Sequence, residues 1–135
     1  MNKYVQILLA DDDQEDRFIM AEGFKELGLD NVISFVEDGT QVLDYLEAEG
    51  AEGLNLIILD LNMPRLNGTE TLRMLKKNPK YFHIPVVILS TSVNDLEKKS
   101  CLELGAKDYL IKPVKYQVFL DTCKILYEMS QEPAV

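Results

Sequence analysis

The stretch from Leu56 to Gly68, reading LIILDLNMPRLNG, constrains this chain more than any other. An apolar run, Leu56 to Leu59, stops abruptly at a carboxylate, Asp60, and a breaker-rich turn follows. Runs of this length between turn signals read as strands buried on both faces, although a short buried helix gives the same pattern. Pro64 lacks an N–H for a sheet ladder and pushes Met63 towards extended backbone, so the strand is expected to end near Asp60. Asn67-Gly68 supplies the turn into the next helix. An acid thereby stands at the carboxyl end of a central parallel strand, where open α/β sheets place their ligands. Taken alone, Asp60 reads equally well as a residue that only caps the turn.

The rest of the chain repeats the alternation. Strands are expected over 4–10, 31–36, 56–60, 84–90 and 108–111, and helices over about 14–27, 41–49, 69–77, 94–104 and 116–129. Met20, Phe24 and Leu27 fall on one face of the first helix, and Val42, Leu43 and Leu46 on one face of the second. The last helix carries Val118, Phe119, Thr122, Ile125, Leu126 and Met129 as its apolar stripe. The fourth is weaker: Val93, Leu96 and Leu104 are interrupted by Ser100 and a run of charges. Five strands alternating with five helices call for right-handed βαβ crossovers and a three-layer α/β sandwich.

At 135 residues the chain suits a single domain. Its formal net charge of −9 disfavours nucleic acid and anionic membranes as partners, since phosphate surfaces require a basic footprint. No apolar run reaches the ~18 residues of a membrane span. No signal-peptide pattern stands at the start, so the expected location is cytoplasmic. Cys101 and Cys123 are read as buried, reduced thiols rather than a disulfide or metal pair. His83 reads as a surface residue.

The strand ends carry a coherent set of groups. After the first come Asp11, Asp12 and Asp13; after the third, Asp60; after the fourth, Ser90; after the fifth, Lys112. All strand ends share one edge of a parallel sheet, so these groups can converge. Clustered carboxylates suit a hard divalent cation such as Mg²⁺. A carboxylate is also a competent nucleophile for phosphorus, and a lysine and a hydroxyl can hold the remaining phosphoryl oxygens. The bland alternatives are a solvated acidic helix start, the reading kept for Asp13, and a surface lysine at 112.

Four motifs in this order resemble the receiver domain of two-component response regulators, particularly the single-domain chemotaxis type. LLADDDQ is similar to the family's acidic motif, LIILDLNMPRLNG to its phosphoacceptor motif, VVILSTS to its switch-hydroxyl motif and GAKDYLIKP to its aromatic-plus-lysine motif. The resemblance implies a flavodoxin-like doubly wound fold with five parallel strands in the order 2-1-3-4-5. It implies a receiver domain over 4–130, a short tail over 131–135 and no output domain. Asp60 would accept a phosphoryl group from a sensor histidine kinase or phosphotransfer protein. Asp11, Asp12, Asp60 and the backbone carbonyl of Asn62 would hold Mg²⁺. Ser90 and Tyr109 would switch with phosphorylation, Lys112 would pair with the phosphate, and Lys112–Pro113 would be cis. The fourth helix, fifth strand and last helix would then dock a downstream protein, relay phosphate onward or self-associate as a homodimer. Asp13 and Thr91 depart from the commoner residues at their positions, and Asn62 and Ser92 are variable ones.

Three rivals stand beside this reading. A Mg²⁺-dependent phosphatase with an aspartyl nucleophile usually needs a second acid two residues on, where Asn62 stands. A flavodoxin-like nucleotide binder would want a glycine-rich first turn, and this one is acidic. A degenerate receiver would carry no phosphate, against an intact set of Asp11, Asp12, Asp60, Ser90 and Lys112.

Overall fold

Mostly apolar segments of four or five residues form the sheet: β1 (Ile7–Ala10), β2 (Ile33–Val36), β3 (Leu56–Leu59), β4 (Val86–Ser90) and β5 (Asp108–Ile111). They alternate with α1 (Gln14–Glu26), α2 (Gly39–Glu49), α3 (Gly68–Lys77), α4 (Asp95–Glu103) and α5 (Tyr116–Gln131). The computed structural model describes residues 5–132. Tyr4, the expected first residue of β1, and the end of the expected tail lie outside the described residues.

The sheet is wholly parallel in the order β2-β1-β3-β4-β5, as expected for the flavodoxin-like arrangement. Every residue of β1, β3 and β4 is buried, because helices cover both faces. Alternate side chains divide the core in two. Leu8, Ile57, Leu59 and Ile88 pack with Val42, Leu46, Leu72 and Leu75 under α2 and α3. Ile7, Leu9, Ile58 and Val87 pack with Met20, Phe24, Cys123 and Leu126 under α1 and α5.

Two helical faces differ from the sequence expectation. On α5, Val118 and Ile125 are each 45% exposed, while Cys123 and Ser130 are buried beside Thr122 and Leu126. The apolar stripe is wider than the face the core can cover, so its outer edge stays in solvent. On α4 only Cys101 is buried, and Leu96 is 75% exposed. Both cysteines are free and buried, as expected, and His83 is exposed.

Helix caps set the loops above the sheet. Asp13 caps α1, accepting from the amides of Glu15 and Asp16. Asn67 and Glu70 form a reciprocal capping box on α3. Gly68 is required by space: a Cβ there would lie 2.2 Å from the carbonyl oxygen of Asp60. The start of α3 thus rests directly on the backbone of the strand-end acid.

Candidate phosphoacceptor site

Register brings the site together. Ala10 lies opposite Leu59, and the Asp60 amide donates to the Ala10 carbonyl at 3.1 Å, so Asp11 and Asp60 emerge side by side. Asp11 is 3% and Asp60 7% exposed, whereas Asp12 points into solvent. Oxygens of Asp11, Asp12 and Asp60 all lie within 4.8 Å of one another. Hard carboxylate oxygens this close fit an oxygen-seeking divalent cation such as Mg²⁺. Asn62 sits in the turn just beyond, its amide 3.4 Å from Asp60 Oδ1.

Lys112 reaches in from the far side. Its amide donates to the Ser90 carbonyl at 2.7 Å, which fixes its place beyond β5. Its ammonium Nζ stands 2.7 Å from Asp11 Oδ2, 2.8 Å from Asp16 Oδ2 and 3.1 Å from Asp60 Oδ2. Burial opposes the charge on Lys112, but the Asp11 and Asp16 carboxylates outweigh it and hold the ammonium above its ordinary range. Asp11 is pushed up by burial and by the neighbouring Asp60 charge, against the opposing pull of Lys112 and the Asp13 amide. One cation among three carboxylates leaves local negative charge that a metal ion would neutralise.

The hydroxyl and aromatic candidates are linked through Ser92. Ser90 is fully buried, and its Oγ accepts from the Ser92 amide at 3.1 Å. The Tyr109 hydroxyl donates to the Ser92 carbonyl at 2.9 Å, with the ring 4% exposed. A movement of Ser90 therefore has a short covalent and hydrogen-bonded path to Tyr109. Thr91, between them, faces solvent.

A family model, the response regulator receiver domain, matches residues 7–124. The chain belongs to the response regulator receiver family. The response regulator Rcp1 of Synechocystis is 36% identical over 110 residues, covering 78% of this chain and 75% of that protein. The two-component response regulator ORR12 of Oryza sativa subsp. japonica is 36% identical over 109 residues, covering 81% and 87%. The solved Mn²⁺-bound form of Rcp1 superposes with TM-score 0.81 at 30% identity, covering 96% of this chain and 97% of that one. The phosphorylated cyanobacterial phytochrome response regulator RcpA superposes with TM-score 0.83 at 29% identity, covering 98% and 97%. Receivers bind a divalent metal in an acidic pocket and interact with histidine kinases or phosphotransfer proteins. Among the described residues no helix is long and apolar enough to cross a membrane.

One expectation for this receiver is corrected. The Lys112–Pro113 bond is trans, as no peptide among the described residues is cis. Trans is the intrinsic preference of X–Pro bonds by roughly 0.5–1 kcal/mol.

Three supports were missed from the sequence. Asp16 joins Lys112, and Arg17 Nη1 donates to the Asp11 carbonyl at 2.7 Å, steadying the end of β1. Their only sequence signal is a charged pair in the first turn of α1. The third is a clip between loops: Arg65 pairs with the fully buried Asp38, while the Gly39 amide donates to the Leu66 carbonyl at 3.1 Å. Arg65 has φ 63°, a left-handed backbone unusual for a residue with a side chain. Asp38 also caps α2 through the Gln41 amide. Burial pushes its carboxyl up, but the Gln41 amide and Arg65 outweigh burial and hold it below its ordinary 3.8. A lowered acid adds stability above its unfolded value and loses it as pH falls through the folded one. Asp38→Ala is therefore expected to cost about 2 kcal/mol at neutral pH, near the upper range for a lost cap. Urea unfolding should show that gap shrinking as pH drops below ~4.

Proposed function

We propose that this receiver takes a phosphoryl group onto Asp60 from a histidine kinase or phosphotransfer protein, in a Mg²⁺-dependent step, and signals through α4, β5 and α5. The observation that carries this is the convergence of Asp11, Asp12, Asp60 and Lys112 at one sheet edge, with the Lys112 ammonium 3.1 Å from Asp60. An Asp60 carboxylate oxygen attacks phosphorus, the bond from phosphorus to the donor nitrogen breaks, and the departing imidazole keeps that electron pair. Asp11, Asp12, Asp60 and the Asn62 carbonyl would hold Mg²⁺. When bound, it supplies neutralising charge for the phosphoryl oxygens. Lys112 pairs with the transferred group, and Ser90 donates its hydroxyl to it. Ser92 then passes the displacement of Ser90 to Tyr109.

Support for the output face is its exposed apolar surface. Leu96 is 75% exposed, and Ile111 and Val118 are 45% exposed each. With one buried residue, α4 is anchored weakly enough to shift when Tyr109 moves. A phosphatase acting on external substrates usually carries an acid where Asn62 stands, which favours turnover of the receiver's own phosphoryl group alone.

The test is intact mass after incubation with acetyl phosphate. A single phosphoryl adduct is expected with Mg²⁺ and none with excess chelator. Asp12→Ala should lose the adduct while its unfolding free energy stays within about 0.5 kcal/mol of wild type, as for most exposed positions. A folded wild type that forms no adduct from acetyl phosphate or from a phosphorylated kinase would reject the proposal.

A further inference from the structure

The three donors of the Lys112 ammonium are divided among three carboxylates, and only two of them belong to the metal cluster. Asp11 and Asp60 have oxygens within 4.8 Å of each other and of Asp12; Asp16 is outside that group. Asp16 is the third residue of α1, where an acidic side chain often turns back to cap its own helix. Here the Asp13 amide that such a side chain would bond donates instead to Asp11 Oδ1 at 3.0 Å, and the Asp16 side chain crosses to Lys112, 96 positions away. The contact is short, at 2.8 Å, and partly buried, with Asp16 32% and Lys112 12% exposed.

A divalent cation held by Asp11 and Asp60 would stand within a few ångströms of the lysine ammonium that now occupies their Oδ2 atoms. Like charges at that distance repel, and both ions seek the same lone pairs. The ammonium must therefore give up part of its hold on Asp11 and Asp60 without losing its charge to bulk solvent. Asp16 lies outside the metal cluster and helps line a cavity of about 170 Å³ with Asp11, Leu89, Thr91, Lys112 and Phe119.

Resting on the metal site proposed above, we infer that Asp16 is a positioning residue: it retains the Lys112 ammonium when Asp11 and Asp60 turn to the cation, and so sets how tightly Mg²⁺ binds. Without it, Lys112 competes fully for the metal's own carboxylates. Asp16 acts only through Lys112 and touches neither the metal nor phosphorus.

The experiment is a calorimetric Mg²⁺ titration of wild type, Asp16→Asn, Lys112→Ala and the double variant. Asp16→Asn should weaken Mg²⁺ binding about ten-fold when Lys112 is present and less than about two-fold when it is Ala, a coupling of at least ~1 kcal/mol. Equal weakening in both backgrounds would make Asp16 a distant negative charge and overturn the inference, as would unchanged affinity in Asp16→Asn. A wild type that binds no Mg²⁺ would overturn the metal reading itself, which is a separate outcome. Should Lys112→Ala fail to fold, the ¹⁵N resonance of the Lys112 ammonium at saturating Mg²⁺ decides instead. It should remain visible in wild type and vanish into solvent exchange in Asp16→Asn; equal behaviour would reject the role.

Discussion

Asp60→Asn is expected to abolish the Mg²⁺-dependent phosphoryl adduct completely while the protein stays folded. The amide keeps the shape of the carboxylate, so packing of this 7%-exposed residue against the turn and the start of α3 is preserved. What disappears is the nucleophile: an amide oxygen does not form a stable acyl phosphate. One of the three partners of Lys112 is weakened, but Asp11 and Asp16 remain within 2.8 Å, and one negative charge leaves a crowded site. These effects oppose each other, so unfolding free energy should move by about 1 kcal/mol or less. Intact mass and urea unfolding on the same preparation check both parts. An adduct that persists would mean that a different acid accepts the phosphoryl group.

The second large effect is on stability. Lys112→Ala should destabilise the metal-free protein by about 3 kcal/mol at neutral pH, because three partly buried carboxylates lose their shared cation. Two rescues are predicted. Lowering the pH towards 4 should narrow the gap, since Asp11 is already pushed up by burial and loses the lysine that opposes this. A carboxyl raised in the folded state gains stability as pH falls through its folded value. Millimolar Mg²⁺ should also raise the variant's unfolding free energy more than that of wild type, because the competing ammonium is gone. In wild type the lysine contribution has the same pH sense but a far more alkaline window. Its ammonium is held above the ordinary 10.5, so that stabilisation is complete below 10.5 and fades only in stronger alkali. Denaturant unfolding across pH, with and without Mg²⁺, measures each part.

Local pattern was enough for most of the architecture. The buried strands announce themselves as unbroken apolar runs, and Gly, Pro and Asn at their ends mark the turns, so β3, β5 and α3 fall within a residue of expectation. Helix faces were less legible. The stripe on α5 includes Val118 and Ile125, which the structure leaves half in solvent, because hydrophobicity marks what a helix can bury and not how much of it a neighbour covers. The second helix, expected from residue 41, starts two residues earlier at Gly39 because Asp38 is its buried cap.

Asp11, Asp12, Asp60, Ser90 and Lys112 were readable as candidates because strand ends in a parallel sheet share an edge, so topology alone collects residues as far apart in the chain as Asp11 and Lys112. Their order along the chain carries that information. Partner choice does not follow from order. That Lys112 divides itself among Asp11, Asp16 and Asp60, or that Arg65 adopts a left-handed backbone to meet Asp38, depends on side-chain reach across loops. Those contacts connect residues 96 and 27 positions apart with no repeating pattern between them. Periodicity records which face a residue occupies; only the packed loops decide which charge it finds there.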